Sequence, residues 1–457
     1  LVSRDRRPAL KREYPRFLDE LKEYLSFPSI SAHGDKKEIQ KCAKWLLAHC
    51  RAIGLNAMLY PTAGNPVLVA TTKNNSDKKS HYIVYGHYDV QPPEPFELWK
   101  TPPFTPTIRG DKLFARGASD NKGQHFAHLK TVEAYLKTKT PLPCDITFVI
   151  EGEEEVGSPN LALFLRKNRR MLTADGVIIS DTSMPALNTP AITYALRGIA
   201  AMEVTLRGPD RDLHSGSYGG SVENPAMALS HLLATLRDKK TGRVLVRGFY
   251  DDVRTLTQVE RKTLHREPES DQERYRNFLK VPCLFGERGF SHIEQTTIRP
   301  TIEINGLTSG YQGAGSKTIV PSSARAKITM RLVPDQKLDF VIKVVIAHLK
   351  KHCQRSVTME IKNGHGAGPY LFESTSAAVR AAERAIRRVF GAATHFIREG
   401  GSIPVVTDFK KILGLDSVLI GLALPNDNAH SPNEKFELAN FKRGMALSAE
   451  LWQELVL

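Results

Sequence analysis

Four stretches of this chain place carboxylates, in one case beside an imidazole, where a run of apolar residues ends or a helix-like run begins. His87 and Asp89 follow the run Tyr82 to Tyr85 and Gly86. Asp120 precedes a helix-like run from Asn121 to Leu136, Glu153, Glu154 and Glu155 follow the β-prone segment Cys144 to Ile150, and Asp181 follows Gly176 to Ser180. In extended backbone, residues two apart project to the same side, so His87 and Asp89 face one way. Taken singly, each has an ordinary explanation: a packed or solvated histidine, an aspartate N-cap, a solvated acidic run. Four in series ask for a joint one. Carboxylates brought together repel, and a cation offsets the repulsion; histidine with Asp and Glu suits zinc or manganese better than magnesium or calcium. A cation of that kind lowers the pKa of bound water toward about 7 and makes it a nucleophile at neutral pH.

The elements that must position these groups alternate. Helical spacing marks Leu10 to Leu25 and Lys37 to Ile53, and short strands are expected at Leu55 to Tyr60, Pro66 to Thr72 and from His81, with a polar turn at Asn74 to Lys79. A hairpin is expected around Gly110 and Asp111, and helix-like segments follow Asp120 and Pro159. Strands alternating with helices imply an α/β fold with a mostly parallel sheet and helices on both faces. In such sheets ligands gather at the carboxyl ends of the strands, which brings the separate acidic loops to one rim.

Composition sets the bounds. The chain has 457 residues, 41% hydrophobic and 25% charged, an ordinary globular balance, and at about 150 residues per domain it holds two or three domains. No apolar run approaches the roughly 18 residues of a membrane helix, and Leu1 to Arg16 is too charged for a secretory signal, so a cytoplasmic location without membrane partners is expected. Five cysteines without CxxC spacing argue against a disulfide framework or thiolate zinc site. The net charge of +15 raises nucleic acid as a partner, but Lys and Arg are scattered and no helix-turn-helix or zinc-finger spacing occurs, so none is expected.

Longer motifs carry a resemblance. Gly86-His-Tyr-Asp-Val-Gln-Pro92, Leu98-Trp-Lys-Thr-Pro-Pro-Phe104, Arg116-Gly-Ala-Ser-Asp-Asn-Lys-Gly123 and Glu151-Gly-Glu-Glu-Glu-Val-Gly-Ser158 are similar to the M20 metallopeptidases, in particular their carnosine dipeptidase and cytosolic nonspecific dipeptidase branch. The likeness continues in order through Asp212 to Gly216, Met330 to Pro334, Glu399 to Pro404 and Ala429 to Glu434. The resemblance implies two metal ions, zinc or manganese, bridged by Asp120. His87 and Asp181 complete one site, and Glu155 and His430 the other. It further implies Glu154 as general base, Asp89 as the group that orients His87, and His214 as an oxyanion-stabilising residue contributed across a homodimer. Arg331, Thr318 and Ser402 are implied to hold the substrate. Glu153 is expected to face solvent or to sit as a helix-end charge.

From Leu196 to about Asn363 no strand-end acids recur, and a second domain is expected there. With the resemblance, the division is 1–195 for the first part of the catalytic domain, 196–367 for an inserted α+β lid and dimerisation domain, and 368–457 for the second catalytic part, ending in a helix from Lys435 to Leu455. The charged stretch Arg254 to Arg276 is expected to be solvated. Three function classes follow in order: cleavage of dipeptides or short peptides with a free carboxylate, deacylation of N-acyl amino acids by the same metal centre, and a non-catalytic basic-surface scaffold.

Overall fold

A computed structural model of the chain describes residues 7–32, 35–72, 80–138, 140–266, 271–372 and 376–457. The expected turn at Asn74 to Lys79 lies outside them. The chain divides into two compact units, one of residues 1–194, 372–397 and 408–457, the other of 195–371 and 398–407.

The larger unit is built on a nine-stranded sheet whose order runs Asn56–Tyr60, Val67–Thr71, Asp145–Glu151, His81–His87, Gly176–Ile179, Ser417–Ile420 and Ala191–Leu196. His395–Glu399 pairs with the last of these, whose final residues Ala195 and Leu196 belong to the other unit and pair there with Tyr370–Leu371. Only the middle four strands run parallel, and the expectation of a mostly parallel sheet is corrected to a mixed one. The reason is connection length. Asn56–Tyr60 returns to Val67–Thr71 through a loop too short for a parallel crossover, which needs a dozen residues or more, so that pair runs antiparallel. His81–His87 is buried along its whole length, as a central strand covered on both sides should be.

The core of this unit packs the helices Arg7–Leu25, Lys36–Ala52, Lys122–Lys137, Ala377–Phe390 and Leu438–Glu454 against the sheet, with Phe17, Leu46, Phe126, Phe148, Ile386 and Trp452 inside. Each such fully buried side chain contributes roughly 1.5–3 kcal/mol. The last helix begins at Leu438, later than expected, because Lys435–Glu437 is a strand paired with Lys112–Phe114 beside the hairpin partner Thr107–Arg109.

The smaller unit is a four-stranded antiparallel sheet in the order Thr301–Ser309, Ser323–Leu332, Gly198–Arg207 and Thr358–Ala367. Alternate residues of two strands, Ala200, Met202, Val204 and Leu206 with Ala324, Ala326, Ile328 and Met330, bury one face. The helices Pro225–Ala234 and Leu338–His352 supply Leu229, Leu232, Val341 and Val345 to the same core. The charged region after Arg254 forms the helices Gln258–Arg266 and Gln272–Leu279, whose described side chains are mostly exposed. No helix among the described residues is long and apolar enough to cross a membrane.

Candidate metal centre

His87 ends the central strand, and Gly86 before it is required by close packing: a Cβ there would lie 2.6 Å from the His125 ring. In parallel register His87 stands opposite Glu151, and the neighbouring strand Gly176–Ile179 runs on to Asp181. The carboxyl ends of adjacent parallel strands thus deliver an imidazole and a carboxylate to one rim.

Asp120 arrives from the loop before Lys122–Lys137. That helix takes Asn121, not Asp120, as its N-cap residue, so the aspartate is not consumed by capping. Its two oxygens face different ways. Oδ1 lies 3.2 Å from His87 Nε2, and Oδ2 lies 2.8 Å from His430 Nε2. Asp181 Oδ1 is 3.7 Å from His87 Nε2, and Glu155 Oε2 is 3.3 Å from His430 Nε2. Two triads result, His87–Asp120–Asp181 and Asp120–Glu155–His430, each with its ligand atoms within 4.8 Å of one another. They are candidate sites for two divalent cations sharing one carboxylate.

The surroundings fit that charge. His87 is fully buried, its Nδ1 lies 3.0 Å from the carbonyl oxygen of Asp89, and its Nε2 has no hydrogen-bond partner among the described residues. A buried ring nitrogen turned toward two carboxylates, with its other nitrogen engaged, has the form of a metal ligand. The Asp89 carboxylate, 3.4 Å from Nδ1, accepts instead from the backbone N–H groups of Glu154 (3.2 Å) and Glu155 (3.1 Å). Asp89 therefore fixes the turn that presents both glutamates. Glu155 is further held by Gln91 Nε2 at 2.9 Å. Glu154 is oriented by its backbone alone, and its side chain has no hydrogen bond or ion pair among the described residues. Glu153 is buried and accepts from Asn160 Nδ2 at 2.7 Å, so it does not face solvent.

Sequence reasoning missed Asn121 and Gln91. Asn121 Nδ2 donates to Asp181 Oδ1 at 2.8 Å while its Oδ1 accepts from the His87 N–H at 3.3 Å. For Asn121, its place next to the candidate ligand Asp120 was the available signal.

A third cluster, Glu20, His49 and Glu133, already contains a cation. The Lys130 ammonium contacts Glu133 at 2.7 Å and also touches Glu20 and His49.

Electrostatics in the metal-free protein tell the same story. Hydrogen bonds to Asp120 and Glu155 lift His430 to about 11. Burial opposes charge on His87, but the carboxylates of Asp181 and Asp120 outweigh it and hold the imidazole well above its ordinary value. Burial, reinforced by Asp120, raises Glu155 to about 7, and burial raises Glu154 well above the usual carboxylate range. Protons thus stand where cations would. Each cation must displace them, so binding releases protons and strengthens as pH rises. Zinc affinity measured from about pH 6 to about pH 8 should increase, with net proton release; a flat profile would contradict this site.

The remaining residues lie in the smaller unit. His214 pairs with Ile319, and the Ser215 N–H donates to the Thr318 carbonyl at 3.1 Å, which brings His214 and Thr318 together. The N–H groups of Gly216 (3.0 Å) and Ser217 (3.2 Å) point at His214 Nδ1, so Nδ1 is the acceptor and the exposed ring's Nε2 carries the proton. Arg331 Nη1 donates to Ser402 Oγ at 2.9 Å.

Residues 83–454 match peptidase family M20/M25/M40. The chain is 34% identical over 395 residues to the human Beta-Ala-His dipeptidase, covering 85% of this chain and 78% of that one. It is 29% identical over 455 residues to the Cys-Gly metallodipeptidase of Schizosaccharomyces pombe, covering 96% and 95%. The crystal structure of an M20 family metallo-carboxypeptidase from Sulfolobus solfataricus superposes with a TM-score of 0.88 at 34% identity, covering 96% of this chain and 99% of that one. The chain therefore belongs to peptidase family M20/M25/M40, as a metal-dependent hydrolase of that type.

Proposed function

We propose that this hydrolase cleaves the peptide bond of dipeptides or short peptides that carry a free C-terminal carboxylate. One observation carries the reading: Asp120 turns one oxygen to each of two ligand triads, while the side chain of Glu154, adjacent to the ligand Glu155, makes no hydrogen bond or ion pair among the described residues. In this reading His87, Asp181 and Asp120 would hold one cation, and Glu155, His430 and Asp120 the other. When bound, the pair supplies an activated water of pKa near about 7 and polarises the scissile carbonyl. As general base, Glu154 would take a proton from the attacking water and pass it to the leaving amine. Asp89 acts through the Glu154 turn and His87.

Residues 196–367, which lie within the smaller unit, would form a lid and dimerisation domain inserted between catalytic segments 1–195 and 368–457, although 398–407 also group with the smaller unit. His214 donates from Nε2 to the developing oxyanion in the partner subunit's site. Arg331 and Ser402 receive the substrate carboxylate, for which a guanidinium's planar fork is suited, and Thr318 lies beside His214. The names of the relatives, two dipeptidases and a carboxypeptidase, fit substrates ending in a carboxylate. The five cysteines are free, which fits the cytoplasm's reducing conditions.

The second reading, deacylation of N-acyl amino acids, uses the same centre. Protein loaded with zinc or manganese should hydrolyse a dipeptide panel faster than the matching N-acetyl amino acids; the reverse order would favour the deacylase. For the dimer, His214→Ala should lose activity and recover it when mixed with Glu154→Gln, because one site of each mixed dimer is then complete. No recovery on mixing would remove the cross-subunit role.

A further inference from the structure

We infer that Glu434 is a positioning residue that locks together the two loops carrying Asp120 and His430, an inference that rests on reading those two as metal ligands. Glu434 is fully buried, and five donors converge on its carboxylate. Oε2 accepts from Arg116 Nη1 at 2.8 Å and the Gly117 N–H at 2.9 Å. Oε1 accepts from the Ser119 N–H at 2.9 Å, the Ser119 hydroxyl at 3.1 Å and the Asp120 N–H at 3.1 Å. All five donors belong to residues 116–120, the loop that ends in the shared aspartate, and one is the backbone of that aspartate itself.

The other loop needs anchoring for its own reason. Asn428, His430 and Asn433 have left-handed backbones, with φ of 58°, 60° and 61°. That conformation is unfavourable for residues bearing a Cβ and persists where the surroundings fix it. Asn433 supplies one anchor, accepting from the Lys100 N–H at 2.8 Å and donating to the Leu98 carbonyl at 2.7 Å. Glu434 supplies the next, and its contacts run to the loop of the other ligand. Its own carbonyl also accepts from the Ala115 N–H at 3.1 Å. The distance across which Asp120 Oδ2 meets His430 Nε2 is therefore set by a carboxylate four residues beyond the histidine.

A carboxylate is required, because it accepts everywhere and donates nowhere. A glutamine would turn an NH2 group on N–H donors and leave the buried Arg116 without its counter-charge.

The test is calorimetric zinc titration of the metal-free protein, paired with its thermal unfolding. Wild type should bind two ions; if it does not, the ligand reading itself fails, whatever Glu434 does. Given two ions, Glu434→Gln should bind zinc about 10–100-fold more weakly, the usual effect of losing a partner behind a metal ligand. Glu434→Asp keeps the charge facing Arg116 but withdraws from the Asp120 N–H, and should melt near wild type while still binding more weakly. It decides the matter if the glutamine variant does not fold. Glu133→Gln, which breaks the buried Lys130–Glu133 pair outside the two triads, should lower the melting temperature and leave zinc affinity unchanged. Wild-type zinc affinity in both Glu434 variants, with only the melting temperature lowered, would overturn the positioning role.

Discussion

Glu154→Gln is expected to retain two cation sites and to lose turnover by about 10²–10⁴-fold, the range a positioned general base supplies. That loss corresponds to about 3–5 kcal/mol of barrier. The substitution is nearly isosteric, and the side chain it changes has no partner among the described residues, so the turn held by Asp89 should survive intact. Removing a ligand would lower metal content as well, whereas removing a base lowers kcat alone. Metal analysis of the dialysed variant beside its kcat separates the two. A variant with near-normal turnover would exclude Glu154 as the base, and one that has lost an ion would make it a ligand.

Asp120→Asn is expected to cost one ion. The wild-type carboxylate gives Oδ1 to the His87 side and Oδ2 to the His430 side. An amide of the same shape keeps an oxygen for one side and offers the other an NH2 group, which has no lone pair for a metal. Asp120→Ala removes both oxygens and should weaken both sites by more than the roughly 10–100-fold that an outer partner is worth, with turnover falling below detection. The stoichiometry is the informative number. Two tightly held ions in the asparagine variant would show that Asp120 does not bridge. The asparagine should also leave the Glu434 contacts in place, since those run to the Asp120 backbone rather than its carboxylate.

The strand ends were legible in the chain because buried parallel strands are continuous apolar runs, and the polar residue that stops each run stands out: His87, Asp181 and the Glu153 to Glu155 series were found this way. The central strand Ser417–Ile420 escaped notice, although it pairs in parallel with Gly176–Ile179. Three apolar residues after Ser417 are too few to show a period, and their partner lies more than two hundred positions earlier. The segment Lys435–Glu437 was read as helix because it adjoins one; its pairing with Lys112–Phe114 is a non-local contact that no local pattern encodes.

By itself the sequence determined the donor set, histidine with aspartate and glutamate at the mouths of an alternating α/β chain, and with it the class of cation. The likeness to the M20 peptidases already implied Asp120 as the shared donor, but only the tertiary structure decided which way each donor points. It turned the two oxygens of Asp120 to opposite neighbours, aimed the Asp89 carboxylate at the backbone of Glu154 and Glu155, and left the Glu154 side chain without a hydrogen bond or ion pair among the described residues. Residue types follow from local chemistry, but the direction in which a carboxylate points is fixed by donors that reach it from distant parts of the chain.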